Sequence, residues 1–399
     1  MSLNEIKDSN IESETLKLIS LLLGLWPTSF LDSMLKKIIK LIINLIACSL
    51  MIFVIVSNIL YGIYQINNTM DQKVELIGAT NFYIMSLTKY LLLLFRGKSI
   101  RKCLEYIDDD WRLAKFSSKN REIMLNYAQF GRYMTIICAI FMYFGGIGYQ
   151  VLKPISSGKI ITEMNITITP FPSPVYGKKL TSGFSPIYEI LYGTLIVADF
   201  YLYSATVVAF SIAAVLTIHA CGQFEIVIYY LNDLVNQTNN NNNDQEKLIV
   251  IVNSHLRILS FVSQLEALLN EICFIEVLDC SLNLCLLGYC LITSWKQGQY
   301  TALMSYSVLL VSFIFIIYIY CYLGQLLTTQ AEKIGQQGYM IEWHRLPKRV
   351  LLDLLFFIHV CQFPTTISAG KIIVLSIGTF SAVMRTSAAY FNALWKISQ

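Results

Sequence analysis

Seven long segments of this chain contain few charged residues, and each is long enough to cross a membrane as a helix. A spanning α-helix needs about 20 predominantly apolar residues. The segments are 41–64, 74–95, 130–151, 187–218, 272–295, 302–327 and 372–395. The 399 residues are 55% hydrophobic and 14% charged, whereas soluble domains carry about 25% charged residues. The pattern predicts an all-α membrane protein with seven transmembrane helices.

An eighth apolar run, 350–363, is only 14 residues long. As a helix it would cover about 21 Å, which is short of a hydrocarbon core about 30 Å thick. Pro364 follows it and cannot continue a helical hydrogen-bond ladder. We therefore expect the last helix to be split into a cytosolic part and a spanning part.

The basic residues between the segments predict the orientation. Nineteen lysines and arginines fall on the side of the N-terminus, against seven on the opposite side. Cytosolic loops carry the excess of basic residues in membrane proteins. The N-terminus is therefore predicted to be cytosolic and the C-terminus extracellular. Asn67 and Asn165 stand in glycosylation sequons of the outer loops, whereas Asn236 stands in an inner loop and is expected to be unmodified.

The chain shows no arrangement of residues that would form a catalytic, metal or nucleotide site. Its four histidines are far apart, its ten cysteines form no CxxC pair, and no glycine-rich phosphate loop or basic run is present. We predict no enzyme activity, no cofactor, no metal and no nucleic acid partner.

Several charged residues lie within the apolar segments, where ionisable groups are costly and often functional. Lys89 lies near a cytosolic end, and its side chain could reach the interface. Asp199 and Arg385 lie in the middle of their spans. A structural polar contact and a direct role in ligand or ion contact both remain open for these two.

Two known classes of membrane protein fit poorly. A G-protein-coupled receptor has the opposite orientation, and loop 153–186 lacks a cysteine that could bridge to the third helix. A secondary carrier usually contains an internal repeat, and none is visible. Both remain less favoured alternatives.

Short motifs along the whole chain resemble those of the insect odorant receptors, and the loops resemble those of ants, bees and wasps. The typical lysine before the last proline and an upstream arginine are absent, since Phe363 and Val360 stand there. A gustatory-type receptor of the same superfamily is the main alternative. The resemblance rests on Gly24-Leu25-Trp26-Pro27, Asp110-Trp111, Glu122, Met124, Arg132, Cys321-Tyr322-Leu323-Gly324-Gln325, Tyr339, Trp343, Gln362, Pro364, Ala369-Gly370, Ser376, Phe380, Ser387, Tyr390-Phe391 and Leu394.

This resemblance implies an odorant-gated, non-selective cation channel in the plasma membrane of olfactory sensory neurons. Such a subunit binds a small hydrophobic volatile and forms a tetramer with a shared co-receptor. The implied organisation is a cytosolic segment 1–40, six helices with a ligand pocket and a long outer loop 153–186 in 41–327, a cytosolic anchor region 328–369 for subunit contacts, and a pore-lining helix 370–399.

The resemblance also suggests site residues, although each could serve only in packing. The pore residues would be Asn392, Ala393, Lys396 and Ile397. The ligand pocket would lie in the outer halves of the second, third, fourth and sixth helices. Its residues would be Phe82, Met85, Phe141, Phe144, Gly148, Tyr188, Tyr192, Ile196, Met304 and Tyr306.

Overall fold

The computed structural model consists of long helices packed side by side, with two small β-hairpins. It describes residues 17, 19–21, 23–26, 34–64, 70–156, 158–161, 167–177, 184–236, 244–363 and 365–397. The helices are α1 Met34–Tyr64, α2 Met70–Phe95, α3 Gly97–Ala114, α4 Ser118–Ser156, α5 Ile187–Asn236, α6 Asp244–Lys296, α7 Tyr300–Met340, α8 Lys348–Cys361 and α9 Ile377–Ile397.

Seven of these helices span the membrane. Among the described residues, six are both long and apolar enough by composition: α1, α2, α4, α5, α6 and α7. The seventh is α9, whose 21 residues extend about 31 Å. The short α8 has 14 residues and lies before α9. The predicted fold, seven spanning helices with an inverted orientation and a split last helix, is confirmed.

Four of the spanning helices continue far beyond the membrane on the cytosolic side. Helix α5 has 50 residues and α6 has 53, so each is more than twice as long as a bilayer core requires.

The last spanning helix begins at Ile377, not at residue 372 as predicted from the apolar run. The preceding residues form a hairpin that pairs Ser368–Ala369 with Ile373–Val374 across a left-handed turn. An apolar run does not by itself distinguish a strand from a helix. The helix starts where Ser376 Oγ accepts the backbone N–H of Thr379 at 3.2 Å, which is an N-cap contact.

The residue that follows this hairpin, Leu375, lies directly against α7, and a glycine makes the contact possible. A Cβ at Gly324 would lie 2.5 Å from the carbonyl oxygen of Leu375. Only glycine permits so close an approach between the helix and the chain that leads into α9. The Cys321–Gln325 motif therefore has a packing reason at its fourth position.

Two cytosolic clusters join the extended helices to α3 and α8. Asp110 of α3 lies with Oδ1 2.6 Å from Arg257 Nη2 and with Oδ2 3.0 Å from His219 Nε2. One carboxylate therefore links α3, α5 and α6. His255 of α6 packs edge-on against Phe357 of α8. Burial lowers the pKa of His255 to about 4, so its imidazole is neutral at cytosolic pH.

Lys89 of α2 is fully buried among the helices, and the prediction that it reaches the cytosolic interface is wrong. Its Nζ lies 2.8 Å from Glu276 Oε2 and 2.9 Å from Asp279 Oδ2. These carboxylates lie three residues apart on α6, so they share one helix face. Both partners are within reach inside the bundle, and a buried charge persists only with such partners.

Replacing Lys89 with methionine would leave two buried carboxylates without a cation. Loss of one partner from a buried ion pair costs about 3–5 kcal/mol. We expect Lys89→Met to lower the midpoint of thermal unfolding in detergent and the amount of protein at the cell surface. Lys73→Met, at an exposed position of the same helix, is the control and should change neither. Equal behaviour of the two variants would contradict a stabilising role for the cluster.

Candidate functional site

Five helices enclose a cavity near the outer end of the bundle. Its empty space is about 680 Å³ when the open mouth and the solvent in it are included. Most of its wall is apolar or aromatic. It is lined by Val74, Glu75, Gly78, Ala79, Phe82 and Tyr83 of α2; Met142, Gly145, Gly146 and Tyr149 of α4; Tyr203 of α5; Asn283, Leu286, Leu287 and Cys290 of α6; and Tyr306, Leu309, Ser312 and Phe313 of α7.

Two adjacent glycines of α4 determine how closely the neighbouring helices approach the cavity. A Cβ at Gly146 would lie 2.5 Å from the ring of Tyr203, and a Cβ at Gly145 would lie 2.8 Å from Ser312 Oγ. Because both positions lack a side chain, α5 and α7 pack directly against the α4 backbone. The tyrosine ring then forms part of the cavity wall.

Aromatic rings form one side of the cavity. The ring of Phe82 lies with its centroid 5.5 Å from that of Tyr203 and 6.0 Å from that of Phe313, the latter edge-on. Such arrangements are favourable for aromatic pairs and provide a large apolar surface. A small apolar molecule would find contact area here without displacing polar partners.

Polar groups lie at two opposite places in the wall. Near the mouth, the Tyr149 hydroxyl donates to Glu75 Oε1 at 2.8 Å. Deeper, Asn283 donates from Nδ2 to Asp279 Oδ1 at 2.6 Å, which connects the cavity wall to the buried Lys89 cluster. A few placed polar groups in an apolar wall are typical of ligand sites.

The outer segment 167–177 is attached to the bundle beside the cavity. Ser173 shares a hydrogen bond of 2.8 Å with the hydroxyl of Tyr83, and its Oγ lies 3.4 Å from Asp199 Oδ2. Gln150 Nε2 donates to the same carboxylate oxygen at 2.6 Å. Asp199 therefore makes polar contacts that join α4, α5 and the outer segment.

Of the ten predicted ligand residues, Phe82 and Tyr306 line this cavity. The other eight do not, and their role in ligand contact stays a prediction. Phe141 stacks on Phe315 with centroids 4.1 Å apart. Tyr188 and Tyr192 pack against Phe171 of the outer segment. Met85 and Gly148 are half-buried, and the remaining three are exposed: Phe144, Ile196 and Met304.

Sequence reasoning missed the polar residues of the wall and the whole contribution of α6. The missed positions do follow helical spacing, since Met142, Gly145 and Tyr149 share one face of α4. The signal was this spacing of three and four residues within a span, with a glycine and a tyrosine at two of the positions. Asn283 and Cys290 are seven residues apart on α6, which also places them on one helix face.

The last helix packs one face against α6. Ser387 Oγ donates to the carbonyl oxygen of Ser281 at 3.1 Å, and the rings of Tyr289 and Trp395 meet edge-on. Helix α6 thus contributes residues both to the cavity and to the contact with α9.

The opposite face of α9 carries Arg385, Asn392 and Lys396, which are all exposed in the single chain. Their spacing of seven and four residues places them on one stripe of the helix. The predicted pore residues Asn392 and Lys396 belong to this stripe, and Ala393 is exposed beside it. The side chain of Ile397 lies outside the described part of the chain.

Other predictions concern residues beyond this site. Asn67 and Asn165, the predicted glycosylation positions, lie outside the described residues. All ten cysteines are free thiols. Within the described ranges, no group of three or more histidine, cysteine or acidic residues could hold a metal ion.

Comparison with protein families and solved structures gives a consistent result. The family model of the 7tm odorant receptor matches residues 70–388. Odorant receptor 10 of Aedes albopictus is 27% identical over 149 residues, which is 37% of this chain and 39% of that protein. Odorant receptor 13a of Drosophila melanogaster is 28% identical over 157 residues, 36% of this chain and 37% of that protein. The matched part thus spans less than half the length of these curated relatives.

A solved structure covers far more of the chain. The insect olfactory receptor OR5 from Machilis hrabei in complex with eugenol has a TM-score of 0.77 and 14% identity, covering 98% of this chain and 100% of that receptor. The structure of the same receptor without eugenol has a TM-score of 0.73 and 16% identity to this chain. At this identity the similarity concerns the fold.

Gly146→Ala should destabilise the protein, because the new methyl group would collide with the ring of Tyr203. Added methyl groups in packed cores cost about 1–3 kcal/mol, and we expect a lower midpoint of thermal unfolding in detergent. Gly148→Ala on the same helix is the control, since its Cβ meets no atom within 4 Å. If the two variants unfold at the same temperature, the close contact does not limit packing there.

Proposed function

This chain belongs to the 7tm odorant receptor family, and from that premise we propose that it is an odorant-gated, non-selective cation channel subunit. Its ligand would be a small, largely apolar volatile, and its site would be the plasma membrane of olfactory sensory neurons. The observation that carries this proposal is the aromatic cavity between α2, α4, α5, α6 and α7. Its position near the outer helix ends would make it accessible to a molecule arriving from outside the cell.

The polar stripe of α9 supports a role for this helix in the pore. A charged side chain exposed to lipid in the middle of a span would be costly. Arg385, in the middle of α9, therefore requires water or another subunit on its side of the helix, and Asn392 and Lys396 lie on the same side. A ring of subunits around a shared axis would provide both, with the stripe facing a water-filled path.

Helix α6 supports a direct mechanical connection between ligand site and pore. Asn283 and Cys290 line the cavity, while Ser281 and Tyr289 contact α9. A ligand that shifts the cavity face of α6 would therefore shift the contact with α9. Gating would follow because ligand binding favours the conformation in which this contact is moved.

The cytosolic region supports assembly with other subunits. Helix α8 exposes Leu352, Leu355 and Phe356, although it lies outside the part of the chain expected to meet lipid. Exposed apolar patches of this kind typically mark contact sites. We assign them to contacts with a co-receptor in a tetramer, within the predicted anchor region 328–369.

The decisive experiment records current from cells that express this chain with and without the co-receptor, while G-protein signalling is blocked. A panel of volatiles, including eugenol, should evoke cation current only when both chains are present. In these cells, Phe82→Ala should change the relative potencies of the active volatiles at least threefold, because it removes a ring of the cavity wall. Phe95→Ala, at an exposed position of the same helix that lies outside that wall, is the matched control.

The outcome for current decides the proposal. A response that disappears with the G-protein block would contradict it. If Phe82→Ala changes the potencies no more than Phe95→Ala does, the ligand lies elsewhere. A co-receptor agonist should still evoke current from both variants, which separates an altered site from a folding defect.

Lys396→Glu should alter the ion selectivity of the assembled channel. Reversal of charge beside a cation path lowers the electrostatic barrier for cations, so we expect higher relative permeability for divalent ions. The measurement is the reversal potential under bi-ionic conditions. Lys73→Glu, at the outer end of α2, serves as the control. Unchanged permeability ratios in Lys396→Glu would remove this residue from the pore.

A further inference from the structure

Asn283 of α6 presents a polar side chain in the deeper part of the cavity wall. The residue is 3% exposed. Its amide nitrogen Nδ2 donates to the main-chain carbonyl oxygen of Asp279 at 3.0 Å and to the Asp279 carboxylate oxygen Oδ1 at 2.6 Å. These two acceptors fix the orientation of the amide, because the reverse orientation would place its oxygen against two other oxygens.

The amide oxygen of Asn283 is therefore turned away from Asp279 and towards α2. A Cβ at Gly78 would lie 3.8 Å from Asn283 Oδ1, and both residues line the cavity. Within the part of the chain that the structure describes, no group donates a hydrogen bond to this oxygen. A buried acceptor costs free energy unless it receives a hydrogen bond, so a ligand that supplies a donor at this point is favoured.

Three other polar side chains of the cavity wall already have partners. The hydroxyl of Tyr83 shares a hydrogen bond with Ser173, and the hydroxyl of Tyr149 donates to Glu75. The hydroxyl of Ser312 donates to main-chain carbonyl oxygens. The amide oxygen of α6 differs from these groups because it lacks a donor.

The hydrogen bonds made by Asn283 also strengthen its oxygen as an acceptor. Its N–H group donates to the Asp279 carboxylate, which in turn accepts from Lys89 Nζ at 2.9 Å. Hydrogen bonds in such a chain polarise one another, so donation to the carboxylate raises the electron density on the amide oxygen. A hydroxyl group on a ligand would extend this chain into the cavity.

We infer that Asn283 makes the cavity selective for alcohols, aliphatic or phenolic. The ligand hydroxyl donates to Asn283 Oδ1, while its carbon skeleton lies against Phe82 and Phe313. An ether of the same skeleton binds less well, because an ether oxygen can only accept a hydrogen bond and so meets another acceptor here. This inference rests on the proposed function, since it names the ligand class of the proposed receptor.

The test compares octanol and eugenol with the methyl ethers formed at their hydroxyl groups. They are applied to cells that express the chain with the co-receptor, and the ratio of alcohol potency to ether potency is taken from the cation current. We expect an alcohol to be at least fivefold more potent than its ether. A merely apolar wall would give the opposite order, because the additional methyl group of the ether buries more apolar surface.

Asn283→Leu then tests the assigned residue, because leucine is similar in size and has no acceptor. We expect the ratio of alcohol to ether potency to fall at least fivefold. Asn283→Ala, made in parallel, should show the same fall. Because each ratio is taken within one variant, differences in the amount of protein at the cell surface cancel.

Asn81→Leu is the matched control. Asn81 of α2 donates to the same Asp279 carboxylate oxygen at 3.4 Å, but it does not line the cavity. Its loss disturbs the ion cluster from the other side and leaves the cavity wall unchanged. We therefore expect the ratio of potencies in Asn81→Leu to stay within twofold of that in the natural chain.

The outcomes separate the two proposals. The inference is overturned, and the proposed function left intact, by an ether as potent as its alcohol in the natural chain, by an unchanged ratio in both Asn283 variants, or by an equal fall in Asn81→Leu. The same holds if neither alcohol evokes current while other volatiles do. If no volatile evokes current while a co-receptor agonist does so in the same cells, the proposed function fails and the inference with it.

Discussion

The ion cluster formed by Lys89, Glu276 and Asp279 is the contact on which the arrangement of the outer bundle depends. It joins α2 to α6 inside the membrane, where an uncompensated charge would be costly. Separation of the two helices at this point would leave charges without partners. Asn283 extends the cluster by one hydrogen bond to the cavity wall, so the position of α6 relative to α2 determines the shape of the proposed ligand site.

Helix α6 connects every functional part of the molecule that the structure describes. Its outer third lines the cavity and contacts α9, its middle carries the acidic residues of the cluster, and its inner half packs against α3 and α8. The contacts with α3 and α8 use Arg257 and His255, which lie below the membrane. A displacement of one part of this helix therefore moves its other parts, because the helix is continuous from Asp244 to Lys296.

The spans, their orientation and the family could be predicted from the sequence, because apolar length, basic loops and the C-terminal motifs are local signals. Membership of a receptor family also confirms that the chain is not an enzyme. The start of the last helix could not be predicted, since Ile373 and Val374 suit a strand as well as a helix. The partners of Lys89 also escaped prediction, because they are more than 180 residues away in the chain.

The cavity shows a limit of reasoning from periodicity. Phe141, Phe144 and Gly148 were chosen on α4, whereas Met142, Gly145 and Tyr149 line the cavity. Both sets have helical spacing, and a shift of one residue turns a side chain by about 100°. Periodicity shows that a helix has a distinct face, but which face meets the ligand depends on the neighbouring helices.

The unbroken length of α6 also gives it the geometry of a lever. Asp279 anchors it about 26 Å from its outer end and about 52 Å from its inner end, at 1.5 Å per residue. A tilt of about 3° around that anchor would move the outer end by roughly 1 Å and the inner end by roughly 3 Å. A small displacement of the outer end, beside the cavity, would thus move the cytosolic end of α6 by about twice as much. The same lever would carry a rearrangement of the cytosolic subunit contacts back to the ligand site at half its size.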